Sequence, residues 1–334
     1  MIRYYETRNE RRHYMKYRHL KGYHGIIVLV LSAAVIFGIA PIFGAGLGIY
    51  GSLLGELMIL AVAVVTVLAA RADLKEVFPI HRPKALGLLG TLLIWGATYV
   101  CVMALTMLLA YFFPEEVTGA GARLSEAILN TPMLIAAAIV AVSPAICEEA
   151  VFRGVFLHSL QGIRQKWLVI LLVGVIFGAF HGSIWKLLPT SVLGMVMTYI
   201  VLETDNLVYS GFLHFVNNLL PVLMMGALSS TYEAMGGIDA VMEESMQIPM
   251  ASVGIYFLMA SGAPLVFYIG RYCLKRSVHG YTEGLFTKNQ VKPVLLLIFI
   301  GILIGIAGVF LIACSFIFEM PGNLSGFREI QSLY

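Results

Sequence analysis

PMLIAAAIVAVSPAICEEAVFRGVFLH, residues 132–158, is a long apolar run whose only charges are Glu148, Glu149 and Arg153. A helix rises about 1.5 Å per residue, so about 20 apolar residues cross a bilayer core of ~30 Å. This run is long enough, and the rest of the chain is built like it. Of 334 residues, 59% are apolar (A, V, I, L, M, F, W, Y, C) and 12% are charged. With Gly counted in place of Tyr, the apolar share is about 64%, against ~45–50% in soluble domains, where ~25% of residues are charged. That composition excludes a soluble globular domain, a disordered chain and a nucleic-acid binder. It predicts an all-α polytopic membrane protein.

We read nine spans, at about 25–44, 50–70, 86–112, 132–158, 167–186, 188–203, 207–228, 250–272 and 293–318. The sixth is short and begins at Pro189, so eight is the alternative count. The resulting layout is a basic segment 1–24, three helices and an outer loop over 25–130, a core of four helices over 131–228, an acidic outer loop 229–249, and two helices with a tail over 250–334.

Cytoplasmic loops are rich in Lys and Arg. The first 24 residues carry seven of them, ending at Lys21, which predicts a cytoplasmic N-terminus and an uncleaved anchor, not a signal peptide. With nine crossings, Arg71, Lys75, Arg82, Lys84, Arg164, Lys166, Arg271, Lys275, Arg276, Lys288 and Lys292 fall on the same side. The opposite side keeps Arg123, Lys186 and Arg328, beside an acidic stretch with Glu233, Asp239, Glu243 and Glu244. The net charge of +3 by itself points to no partner.

Several patterns need no function. Gly46-x-Gly48-x-x-Gly51 has the dinucleotide-binding spacing, but no strand precedes it. Gly44/Gly48, Gly51/Gly55 and Gly301/Gly305 let membrane helices approach closely. Cys101, Cys147, Cys273 and Cys314 have no paired spacing, so they read as small hydrophobes, not as a disulfide or zinc framework. The absence of an internal repeat weakens a transporter reading.

Charge inside a membrane is costly, so ionisable residues there are functional candidates. Glu56 in the second span lies near its outer end, shallow enough to reach the interface. Three spans carry more: Glu148-Glu149-x-x-x-Arg153, Phe177-x-x-x-His181 and His214-x-x-x-Asn218. Residues four apart share a helix face, so Glu149 and Arg153 can pair and neutralise each other. Glu148 points about 100° away from that pair and gains no partner on its own helix. Measured from the cytoplasmic ends of their spans, Glu148 lies at ~15 Å, His181 at ~21 Å, and His214 and Asn218 at ~10–17 Å. The four share one slab, which predicts a common site.

These groups suit amide hydrolysis. A carboxylate and an imidazole can hold and deprotonate water, while an imidazole and a carboxamide can stabilise an oxyanion. Glu148, His181 and His214 are also types that bind a divalent metal such as Zn2+, though no His-Glu-x-x-His is present.

Taken in order on successive membrane helices, the three motifs resemble the CPBP family, the CAAX proteases and bacteriocin-processing enzymes also called the Abi family or type II CAAX prenyl endopeptidases. The resemblance covers roughly 130–225. It implies an intramembrane endopeptidase with its site toward the cytoplasm, in a bacterial plasma membrane. It further implies that Glu148 with His181 activates water, that His214 and Asn218 form the oxyanion site, and that Glu149 and Arg153 support them. The family has been described both as metalloproteases and as metal-independent glutamate proteases, so the cofactor stays open between none and a metal held by Glu148, His181 and His214. Implied partners are a peptide or lipidated protein and membrane lipid, with substrates ranging from CAAX-box proteins to bacteriocin precursors and signal peptides. Two other readings of the same residues are a proton-coupled transporter and a non-catalytic immunity or scaffold protein.

Overall fold

A computed structural model of the chain describes residues 19–234, 248–278, 282, 284–287 and 290–319. The basic stretch before His19 and most of the acidic outer loop lie outside those residues. Every regular element described is helical. We number ten helices: α1 Gly22–Leu47, α2 Ile49–Ala69, α3 Ala85–Phe112, α4 Pro114–Leu129, α5 Met133–Ser159, α6 Lys166–Ala179, α7 Ile184–Thr204, α8 Leu207–Ala234, α9 Met250–Ser277 and α10 Val291–Phe318. Eight are long and apolar enough to cross a membrane, and the chain is an integral membrane protein.

The expected fifth and sixth spans differ from the observed ones. The helix read as 167–186 stops at Ala179, and the next begins at Ile184, ahead of Pro189. Gly182 causes this, because it takes a left-handed φ of +65° and reverses the chain inside an apolar run. Pro189 lies just beyond the first turn of α7 and does not start it. The fifth segment, α6, is thus the short one, at 14 residues, and α7 has the length to cross. Two further stretches read as loops are partly helical. Residues 114–129 form α4, and α8 runs on to Ala234.

The residues group into two units. Of the described residues, the first comprises 19–83, 131–182 and 194–222, and the second 84–130, 183–193 and those from 223 to 319. In the second, Gly90 of α3 and Gly270 of α9 interlock, since a Cβ on Gly90 would lie 2.7 Å from the Gly270 carbonyl. Gly254 and Gly308 lock α9 to α10 in the same way, and Gly301 of the expected small-residue pair abuts Ser261.

The first unit holds all three motifs. Gly48, at φ +56°, turns α1 into α2, and a Cβ on Gly51 would lie 2.7 Å from Gly44 Cα. Gly51 serves close packing, as the sequence implied, whereas Gly48 makes the turn and has open space around it. Asp73 Oδ1 accepts the Lys75 N–H and starts a single helical turn, Leu74–Val77, after which Phe78 packs on Gly154 of α5. The Asn206 carboxamide then clamps this strap, accepting the His81 N–H and donating to the His81 carbonyl.

Helices α6 and α7 are antiparallel. Lys166 pairs with Glu203 at one end, and Gly174 meets Gly194 along their length. A Cβ on Gly194 would sit 2.9 Å from Phe177 Cδ1 and 3.0 Å from Gly174 Cα. Overpacking of this kind costs ~1–3 kcal/mol, so Gly194→Val should lower the detergent melting temperature, and an unchanged melt would show that the hairpin opens freely.

Candidate active site

Helix α5 is not uniform. Residues 138–142 and 150–156 wind as wider turns, and between them lies Pro144. Such turns are frequent at functional sites. Pro144 has no N–H for the Val140 carbonyl, and its ring would clash there in a regular helix. The widened turn relieves that clash. The Asn218 side chain of α8 supplies a donor, its Nδ2 lying 3.2 Å from the Val140 oxygen. Asn218 Oδ1 in turn accepts from Asn217 Nδ2 at 3.2 Å.

The Glu149–Arg153 pair forms as its spacing predicts, with Nη1 donating to Oε1 at 2.8 Å and both side chains sealed, at 3% and 0% exposure. Arg153 Nη2 also donates to the Gly194 carbonyl at 2.9 Å, where Thr198 Oγ1 donates as well. Phe177 lies beneath the guanidinium, with its centroid 4.4 Å away. A desolvated cation over an aromatic face is stabilised by the ring quadrupole.

His214 of α8 stands between the two glutamates. Its Nδ1 is 3.2 Å from Glu149 Oε1, and its Nε2 is 3.7 Å from Glu148 Oε2. Glu149 therefore does more than neutralise Arg153, because it also orients the imidazole. Glu148, with 17% of its side chain exposed, is the more open of the two carboxyls.

His181 is not inside a helix. It sits in the turn after α6 and is exposed. Its Nδ1 lies 3.0 Å from the Phe177 carbonyl. A carbonyl only accepts, so Nδ1 carries the proton and Nε2 is the basic nitrogen of the neutral ring. The Phe177 ring is edge-on to both imidazoles, with centroids 5.0 Å from His181 and 5.7 Å from His214. The structure thus joins Glu148, Glu149, Arg153 and His214 directly, with His181 one aromatic ring away from His214. Asn218 is anchored to the α5 backbone.

Glu56 was missed as a member of this group. Its carboxyl faces that of Glu148 within interaction range, and it does not reach for the membrane interface. A lone carboxyl in an apolar helix was the available signal, but its partner lies on another helix. Cys147 is buried, Cys273 and Cys314 are partly so, and Cys101 is exposed; all four are free.

Among the described residues, no three His, Cys, Asp or Glu side chains gather into a group that would hold a metal ion. Both nitrogens of His214 are turned toward carboxyl oxygens.

An apolar cleft of about 500 Å³ opens beside this centre. Leu60, Val142, Ile146, Phe212 and Phe215 are among its walls, and Glu149 is its one charged lining residue.

Residues 130–220 match the family model described as type II CAAX prenyl endopeptidase Rce1-like. No curated protein and no solved structure matches the chain. The matched segment begins just before α5 and ends within α8, so it contains Glu148, Glu149, Arg153, His181, His214 and Asn218.

Proposed function

Given a type II CAAX prenyl endopeptidase Rce1-like domain, a CAAX-type intramembrane protease domain, over residues 130–220, we propose that this protein hydrolyses a peptide bond in a lipid-modified or apolar peptide by carboxylate-activated water. One observation carries the reading. Glu148, part-exposed, faces His214 Nε2, while Glu149 and Arg153 fix the other side of that imidazole.

Glu148 takes a proton from water as the water oxygen attacks the scissile carbonyl. His181 presents its basic Nε2 as the second group that holds the water. His214, held by Glu149 at Nδ1, turns its Nε2 toward the reacting centre as the group that donates to the developing oxyanion. Asn218 Nδ2 has two hydrogens; one goes to Val140, and the other is the second oxyanion donor. Collapse of the tetrahedral intermediate breaks the C–N bond, and the proton held by Glu148 passes to the leaving amine. Loss of a single oxyanion donor typically raises a barrier by ~2.7–4 kcal/mol. The basic N-terminal segment supports a cytoplasmic side for this chemistry, and the family match supports a peptide or prenylated protein substrate.

No step is routed through a metal. Purified protein in proteoliposomes should cleave a quenched fluorescent prenylated CAAX peptide. Dialysis against EDTA and then 1,10-phenanthroline should leave the rate unchanged. A rate abolished by chelation and restored by Zn2+ would overturn the metal-free mechanism, and no cleavage by active preparations would overturn the substrate class.

A further inference from the structure

Helix α2 carries one charged residue in 21, Glu56, which is part-buried, with its Oε2 sealed from solvent. Gly51, Gly55, Ile59, Ala63 and Thr66 form its buried stripe, and α2 packs along the middle of α5. Glu56, next to Gly55, is thereby brought to Glu148. Each of these two carboxyls has one oxygen, Oε2, that is sealed from solvent and lacks a hydrogen-bond donor. The groups around them are Glu149, Arg153 and His214 about Glu148, with Cys147 beside both carboxyls.

Two interacting carboxyls that each keep an oxygen without a donor are unstable as a pair of anions, whereas one proton between them satisfies both. Neighbouring carboxyls that share a proton are an established way to hold a single charge in a confined site. We propose that Glu56 is a positioning residue of the active site. Its carboxyl holds that of Glu148 through one shared proton and leaves the remaining Glu148 oxygen aimed at the attacking water. This rests on the peptidase reading. It assigns a function to α2, which lies outside the matched segment, and it explains why an isolated carboxyl sits in that span.

The test measures kcat and KM separately in proteoliposomes, with the quenched prenylated CAAX peptide, for wild type, Glu56→Leu, Glu56→Gln and Glu148→Gln. Leucine at 56 is fully compatible with a membrane helix, so Glu56→Leu should insert and melt like wild type. Loss of a hydrogen bond to a charged group corresponds to about 10- to 100-fold, which should appear in kcat with KM little changed. Glu56→Gln, whose amide donates to Glu148, should recover most of that loss. Glu56→Leu at the wild-type rate, with Glu148→Gln inactive, overturns this role and leaves the peptidase standing. So does Glu56→Gln as slow as Glu56→Leu. Full activity in Glu148→Gln sinks the peptidase reading itself, and this proposal with it.

Discussion

Glu148→Gln should leave a folded, membrane-inserted protein whose cleavage rate falls by about 10²- to 10⁴-fold, the usual contribution of a positioned general base. Gln has nearly the same shape and keeps an oxygen facing His214 Nε2, which stands 3.7 Å from the present Glu148 Oε2. What it lacks is a basic oxygen. Removing a charge from a largely buried site carries no desolvation penalty, so yield and melting temperature should hold. Cleavage of the prenylated CAAX peptide, compared with detergent melting of the same preparation, separates the two effects. A transporter using Glu148 as a proton relay predicts solute flux sensitive to the same change, and a scaffold predicts no loss of any activity. An undiminished cleavage rate rules out Glu148 as the base.

The second large effect is on stability. Arg153 and Glu149 are both sealed, and removing one partner of a buried pair strands the other charge, at ~3–5 kcal/mol. Arg153→Met keeps the bulk of the stem but leaves the Glu149 carboxylate without its cation. It also takes a donor from the Gly194 carbonyl and the cation from the face of Phe177. We expect a marked drop in melting temperature and in folded yield, and loss of cleavage because His214 is no longer fixed. The double variant Glu149→Gln, Arg153→Met removes both charges and should regain much of the stability but not the activity. Equal melting of wild type and Arg153→Met would mean that the pair contributes nothing to holding α5 against α7 and α8.

The pairing of Glu149 with Arg153 could be read before any coordinates, because residues four apart on a helix must share a face. The same holds for the membrane character of the chain, since helix length and hydropathy are properties of consecutive residues. The boundary between α6 and α7 could not be read that way. Gly182 and Ser183 interrupt an apolar run too briefly to alter its hydropathy, yet a single left-handed glycine ends the helix there. His181 was accordingly expected within a helix, and it lies in the turn. Asn218 was expected as an oxyanion donor from its residue type. Its bond to the carbonyl that Pro144 leaves free depends on a proline 74 positions earlier in the chain.

Local spacing therefore dictated an all-helical membrane chain, the residues able to do hydrolytic chemistry, and the one pair that neutralises itself. Helix packing settled the rest. It turned His214 so that one nitrogen meets each glutamate, set Phe177 between the two imidazoles, and brought Glu56 to Glu148. Contacts across 37 to 92 positions follow from which glycine faces let helices approach and at what rotation, and no periodicity along a single helix encodes that.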